Sequence, residues 1–338
     1  MKPFITGHEE LIHDIRYDFY GKTIATCSSD QHIKVFDFEA STGSWILNDS
    51  WKAHDSSVVK VSWAHPGFST SKILASCSFD RTVKIWQEQP DEMHGSGRRW
   101  MRLATLNESH APIYDVAFAP SHLGLKLGCV GSDGVFRIYE SLEPNDLTSW
   151  GLTTELPILN HSLPAKNLQS SFRIEWCHSK FTSTEKFIVV ALDQGFVYQN
   201  VPKRTDSRED SGEKYVKICN LPEHNGLIRS VSWAPSMGRS YHLIATGCKD
   251  GYVRIFKASE NSSGSFKVEL LAKLNDHKSE VWRVNWNTTG TILSSAGDDG
   301  KLRLWKCNYL SEWKCMSVIN TSNRSDNRSI ENEANKLK

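Results

Sequence analysis

The chain has almost no surplus of either charge. Forty Lys and Arg stand against 39 Asp and Glu, so overall charge gives no reason to expect nucleic acid or an anionic membrane as the main partner. It also lacks long apolar runs: no stretch approaches the length of a transmembrane helix. The opening MKPFITGHEE has no apolar core of the kind a secretory signal needs. No C-x-x-C pair occurs among the eight cysteines, Cys27, Cys77, Cys129, Cys177, Cys219, Cys248, Cys307 and Cys315. Several of these fall in apolar runs, which suits reduced, buried thiols. The absence of a secretory signal and of a membrane span predicts a soluble protein of a reducing compartment, cytosol or nucleus.

What the chain has is repetition. Five segments share a β-rich run, a small-residue stretch, an Asp and an alternating run that ends in an aromatic residue: 24–36, 73–86, 127–139, 243–256 and 292–305. The aromatic lies six positions after the Asp each time: Asp30 to Phe36, Asp80 to Trp86, Asp133 to Tyr139, Asp250 to Phe256, Asp299 to Trp305. Upstream of each sits a His in a turn-like dipeptide: His8, His54, His110, His224 and His277. Units of four strands, repeated at steps of about 50 to 60 residues, are the signature of a WD-repeat propeller. The longer gap between Asp133 and Asp250 leaves room for one degenerate unit, FRIEWC (172–177) followed by KFIVVALDQGFVY (186–198). The expected fold class is therefore all-β, a six-bladed WD-repeat β-propeller over 1–320, with blade 4 (about 160–221) degenerate and a disordered tail over 321–338. Outer strands are expected at 45–51, 100–106, 150–158, 214–221 and 267–274, and mobile loops at 88–99, 203–212 and 259–265.

A His, a Ser and an acid invite a hydrolase reading, but the same set recurs in blade after blade. His8, Thr26 and Asp30 match His54, Ser76, Asp80 and Trp86, then His224, Thr246 and Asp250, then His277, Ser295, Asp299 and Trp305. An enzyme needs one positioned nucleophile, whereas a repeat fold needs one brace per blade. These residues are read as structural, with no catalytic residue, no cofactor and no metal. The histidines of His8-Glu9-Glu10-Leu11-Ile12-His13 are five apart rather than the four of a zinc-protease helix. GSGRRW (95–100) lacks the Lys and Ser or Thr of a phosphate-binding loop, and its arginines are read as a solvated loop rather than an RNA contact.

Propellers of this kind usually close through one blade built from both chain ends. Here WKCMSVI (313–319) completes blade six from its own segment and only MKPFIT precedes the first turn His. Blades 1 and 6 are thus expected to leave an open seam with an apolar lining that a strand or small sheet from another chain would cover. The residues expected at that interface are Phe4, Ile5, Ile33, Val35, Trp282, Val284, Leu302 and Leu304.

The segments 19–36, 51–64, 74–86, 96–100, 118–134, 232–239, 243–251 and 287–306 resemble the SEH-type nucleoporin family in a fungal form, the likeness covering about residues 1 to 320. FAPSHLGLKLGCVGSDG (118–134) carries most of its specificity. The small propeller of the COPII outer coat is the sister family and shares much of blade 6. The resemblance implies a non-catalytic scaffold subunit of the Y-shaped nuclear pore complex at the nuclear envelope, serving mRNA and protein transport. It implies a blade inserted in trans by an α-solenoid nucleoporin, other Y-complex subunits including the sister propeller as partners, and no direct nucleic acid or membrane insertion. It further implies sharing with a vacuole-membrane complex that regulates TOR signalling. A COPII coat propeller or a WD-repeat adaptor for a ligase or chromatin enzyme is the alternative.

Overall fold

The computed structural model describes residues 4–143, 146–159, 170–180, 184–201, 214–222, 224–260 and 266–320. The expected tail at 321–338, the loop 203–212, His161 and most of the loop 259–265 lie outside the described residues.

Twenty-four strands form six four-stranded antiparallel sheets, an all-β six-bladed propeller, and among the described residues the only helical pieces are two single 3-10 turns. Blade 1 is β1 (Ile12–Tyr17), β2 (Thr23–Ser28), β3 (His32–Glu39) and β4 (Ser44–Lys52); blade 2 is β5 (Val58–Trp63), β6 (Ile73–Ser78), β7 (Val83–Glu88) and β8 (Trp100–Leu106). Blade 3 comprises β9 (Ile113–Phe118), β10 (Lys126–Gly131), β11 (Val135–Glu143) and β12 (Asp146–Pro157). Blade 4 comprises β13 (Phe172–Trp176), β14 (Lys186–Ala191), β15 (Gln194–Val201) and β16 (Lys214–Asn220). Blade 5 runs through β17 (Ile228–Trp233), β18 (His242–Cys248), β19 (Val253–Glu260) and β20 (Phe266–Leu274), and blade 6 through β21 (Val281–Trp286), β22 (Ile292–Gly297), β23 (Lys301–Cys307) and β24 (Trp313–Asn320).

The recurrent Asp builds the turn between second and third strands. Its carboxylate accepts the N–H two residues on, as in Asp30 to His32 (2.9 Å), Asp80 to Thr82 (2.9 Å) and Asp250 to Tyr252 (3.1 Å). The intervening residue takes positive φ; it is Gly134, Gly251 or Gly300 in three blades but Gln31 (70°) and Arg81 (72°) in the first two. Blade 4 turns in two residues, Leu192 and Asp193, with Leu192 at φ 58°, and this shortening is why its aromatic Tyr198 follows Asp193 by five positions instead of six.

Two compact units emerge from the packing, one holding blades 1 to 3 and the other blades 5 and 6. Within each unit one packing rule repeats. Small residues of a second strand and β-branched residues of a third strand form one face of a blade, and that face is buried against the inner strand of the next blade. Ala25, Cys27, Ile33 and Val35 of blade 1 cluster with Val58, Val61, Leu74 and Trp86 of blade 2. Ala75, Cys77, Val83 and Ile85 of blade 2 cluster with Ile113, Val116 and Leu127 of blade 3. In the second unit Leu243, Ala245, Val253 and Ile255 of blade 5 cluster with Val281, Val284, Leu293 and Trp305 of blade 6. Small against β-branched lets the sheets interdigitate at native density. Each blade thus has a leading face that needs a predecessor and a trailing face that needs a successor.

Candidate functional site

The geometry of the brace residues decides between chemistry and architecture. In blade 2, His54 Nδ1 lies 2.8 Å from Asp80 and Nε2 lies 2.8 Å from Ser76 Oγ, which also accepts the indole N–H of Trp86 at 2.9 Å. Blade 6 repeats this with His277, Asp299 (3.0 Å), Ser295 (2.7 Å) and Trp305 (2.8 Å). In blade 1, His8 bridges Asp30 (2.7 Å) and Thr26 (2.8 Å), and Phe36 takes the place of the indole. Blade 5 is built differently: His224 meets Thr246 at 2.9 Å, but Asp250 is engaged by Arg254. Blade 3 drops the imidazole altogether, since His110 is exposed, and Arg137 instead joins Asp133 (2.7 Å) and Glu155 (2.8 Å) while Tyr139 donates to Glu108.

Burial holds His54 and His8 below the ordinary imidazole value despite the raising pull of their aspartates. His224 is pushed down to about 4, by burial first and then by the charge of Arg254. Asp80 is held well below the carboxylate range: burial pushes it up, but the hydrogen bonds and charge of His54, with Thr82, outweigh that. The hydroxyl that a hydrolase would need as nucleophile is fully buried in Ser76 and Ser295 and is occupied by an indole donor. The constellation has triad distances and no access, so its chemistry is that of a saturated internal network.

The arginines of GSGRRW divide. Arg99 is buried; its Nε donates to Glu88 (3.0 Å), its NH1 to the carbonyl of Pro90 (3.1 Å), and Asp49 accepts the N–H groups of Gly97 (2.8 Å) and Arg99 (2.9 Å). Trp100 stacks on Trp51 with centroids 5.4 Å apart. The loop 88–99, expected to be mobile, is therefore pinned to β4 by buried charge, and Arg98 alone of the two arginines faces solvent.

The packing rule locates an unsatisfied surface on each unit. Blade 1's leading face presents Ile12, Ile15 and Tyr17, and Ile15 is 50% and Tyr17 51% exposed, where Val61 and Val116 at the first of these positions are 0%. Blade 6's trailing face presents Ser294, Ala296, Leu302 and Leu304, all half-buried, where Ala75, Cys77, Val83 and Ile85 are fully buried. Register places Leu302 opposite both Ala296 and Ile319, and Leu304 opposite Ser294 and Ser317, so Ile319 extends this apolar strip.

The expected interface residues fall into three groups. Leu302 and Leu304 sit on the half-buried trailing face, Phe4 packs edge-on to Phe36 (5.1 Å) beside Trp45, and Ile5 is exposed. Ile33, Val35 and Val284 are corrected by the structure: each is buried within a cluster that joins its own blade to a neighbour, so none can meet a partner without dismantling the core. Trp282 is exposed, and its indole N–H donates to Asp298. A β-bulge after the first residue of β21 leaves Trp282 outside the strand pairing, with Arg229 4.5 Å over its ring, and the same bulge recurs at His13, Val59, Tyr114 and Arg229. Sequence reading missed Ile12, Ile15 and Tyr17. The signal was present in IHDIRY, whose apolar positions align with those of VVKVSW, but the first blade's leading face is visible as unpartnered only once the packing direction is known.

This is a WD-repeat propeller, and the model of the WD domain, G-beta repeat, matches residues 2–37, 45–87, 215–257 and 268–306. Blades 1, 2, 5 and 6 are the matched ones, those with a bonded turn His. Nucleoporin SEH1 of Saccharomyces cerevisiae is 50% identical, the match covering 94% of this chain and 99% of that protein. Nucleoporin seh1 of Schizosaccharomyces pombe is 40% identical over 95% and 96% of the two chains, and Nucleoporin SEH1 of Homo sapiens 38% over 92% and 86%. The chain belongs to the SEH1 nucleoporin family, a family of structural, non-catalytic propellers.

Proposed function

We propose that this protein is a scaffold subunit of the nuclear pore, within its Y-shaped complex, and that an α-solenoid nucleoporin binds it by supplying a blade in trans. Family membership supports the pore assignment. One observation carries the second half: Ile12, Ile15 and Tyr17 stand exposed on the first blade, while the positions of Ile12 and Ile15 are buried in the blades that have a predecessor, as Val58 and Val61, Ile113 and Val116, Ile228 and Val231, and Val281 and Val284. Ile12, Ile15 and Tyr17 are already half covered, so completing their burial contributes on the order of 1 kcal/mol each. The half-buried Ala296, Leu302 and Leu304 of blade 6 call for the same kind of cover. A donated sheet with small residues on one side and β-branched and aromatic residues on the other repeats the contacts that neighbouring blades already make. A partner that binds through a blade can be exchanged between assemblies, and this supports a second role in a vacuole-membrane complex that regulates TOR signalling.

Affinity purification of the tagged full chain from native extract, with stoichiometric partners identified by mass spectrometry, tests the proposal. Solenoid nucleoporins together with a second small propeller are the expected set, with vacuolar nutrient-signalling subunits as the mark of the shared role. Recovery of COPII coat components alone would overturn the assignment.

A further inference from the structure

Asn225 is the only asparagine of the chain followed directly by a glycine. Without a Cβ in the way, the amide nitrogen of Gly226 can close on the Asn225 side-chain carbonyl and form a five-membered ring. Three other pairs can close the same ring, Asp133-Gly134, Asp250-Gly251 and Asp299-Gly300. Each of those three is locked at both reacting groups. The glycine N–H is donated to a carbonyl, Gly134 to Gly131, Gly251 to Cys248 and Gly300 to Gly297, all at 3.2 Å. The carboxylates are held as well: Asp133 by the N–H of Val135 (3.1 Å) and by Arg137 (2.7 Å), Asp250 by the N–H of Tyr252 (3.1 Å) and by Arg254 (3.1 Å), Asp299 by the N–H of Lys301 (3.2 Å), by His277 (3.0 Å) and by Arg303.

Asn225 and Gly226 carry none of these restraints. The Asn225 side chain is exposed, and among the described residues neither its amide nor the Gly226 N–H has a hydrogen-bond partner. The pair follows the brace residue His224 in the turn that leads into β17. In the matching turns of blades 1 and 2 the residue after the His is Glu9 or Asp55, and its N–H is tied to the brace carboxylate of Asp30 or Asp80, at 3.2 Å in both. Among the described residues Asn225 has no such bond to Asp250, so its turn keeps the freedom that ring closure needs.

We infer that Asn225 is a site of spontaneous covalent modification, converting through a succinimide to isoaspartate and aspartate. The deprotonated Gly226 nitrogen attacks Asn225 Cγ, a C–N bond forms, and the side-chain nitrogen leaves as ammonia with the proton that Gly226 gave up. Water then opens the ring. Opening at Cγ leaves aspartate in an ordinary chain, and opening at the main-chain carbonyl of Asn225 leaves isoaspartate, with one extra methylene in the main chain. Aspartate restores an acid where blades 1 and 2 already carry Glu9 and Asp55. Isoaspartate lengthens the chain between two anchors, His224 on Thr246 (2.9 Å) and the N–H of Ile228 on the Leu192 carbonyl (2.8 Å), and so loosens the brace of blade 5.

The test ages the purified full chain at about pH 8 beside a synthetic peptide of residues 218–229, with conversion read by mass spectrometry as a gain of about 1 Da on the fragment that contains Asn225. Isoaspartate is scored separately by methyl transfer from S-adenosylmethionine to its free carboxylate, catalysed by an isoaspartyl methyltransferase. Asn225 in the folded chain is expected to convert within about tenfold of the peptide's rate, because a turn without hydrogen bonds opens at little cost, with Asp133, Asp250 and Asp299 unchanged over the same time. Persistence of Asn225 in the folded chain while the peptide converts would overturn the inference. A Cβ added at Gly226 meets nothing nearer than the Asp250 nitrogen at 3.4 Å, an ordinary contact, so Gly226→Ala is expected to fold and to convert at least about tenfold more slowly. Conversion of that variant at the wild-type rate would overturn the succinimide route in favour of direct hydrolysis. The isoaspartyl and aspartyl forms, separated from the aged chain, should differ in thermal unfolding, the isoaspartyl form having the lower midpoint; equal midpoints would overturn the effect on blade 5.

Discussion

Trp86 donates its indole N–H to Ser76 Oγ at 2.9 Å, from the third strand of blade 2 to the second. The same oxygen lies 2.8 Å from His54 Nε2, so one buried hydroxyl serves two partners. Trp86→Phe removes a donor and leaves the hydroxyl satisfied by the imidazole, a loss of about 1 kcal/mol. Ser76→Ala strands both the indole and the imidazole in a dry site and is expected to cost about 2–6 kcal/mol, since each unsatisfied buried polar group costs about 1–3. Urea unfolding of the two variants and the double checks this: the double should cost much less than the sum, because the indole has already lost its acceptor.

The brace also sets the response to acid. His8, His54 and His224 titrate lower in the folded chain than when unfolded, with burial the leading cause, so below the ordinary value of 6.5 the unfolded chain binds more protons. Their contribution is complete above pH 6.5 and falls as pH drops, for His224 toward its folded value of about 4. The depressed Asp30 and Asp80 act in the same direction at lower pH, being stabilising above the ordinary carboxylate value and losing that contribution below it. The unfolding midpoint should hold steady from pH 8 to 7 and decline from 6.5 to 4.5. His224→Gln should flatten part of that decline; an unchanged slope would contradict the role given to His224.

Much of this architecture was legible in the residues. The Asp-to-aromatic spacing marks the third strand of each blade, and the outer strand 100–106 and the degenerate pair 172–177 and 186–198 lie where the alternation of apolar residues puts them. The interface was legible only in part. Ile33 and Val35 alternate in β3 as Leu302 and Leu304 do in β23, and periodicity tells which residues share a face but not whether that face has a neighbour. The direction of packing, trailing face onto the next leading face, leaves Ile33 buried under blade 2 and Ile15 bare. The loss of His224 from Asp250 was equally hidden, because a base four residues after the Asp occurs in every regular blade, as Lys34, Lys84, Arg137, Arg254 or Arg303; only the arginines engage the carboxylate, and in blade 6 Arg303 does so with His277 still bonded to Asp299.

Buried charge gives a sharper contrast within a single dipeptide. Arg99→Ala leaves Glu88 buried beside the remaining cation Lys72 at 3.8 Å and removes the donor to the Pro90 carbonyl, a loss of about 3 kcal/mol. Arg98→Ala, one residue earlier and exposed, should change stability by less than about 0.5 kcal/mol. Limited proteolysis should cut the loop 88–99 readily in the first variant and not in the second.

The claim that blade 1 takes a blade from another chain is tested most directly from inside the face itself. A photo-crosslinking residue, Ile15→p-benzoylphenylalanine, in the full chain expressed in cells places the reactive carbonyl where the donated sheet would lie. On irradiation it should form a single major cross-link to a β-forming segment of an α-solenoid nucleoporin, lost when Asp replaces Tyr17. Cross-links confined to this chain, or spread over unrelated proteins, would contradict the account.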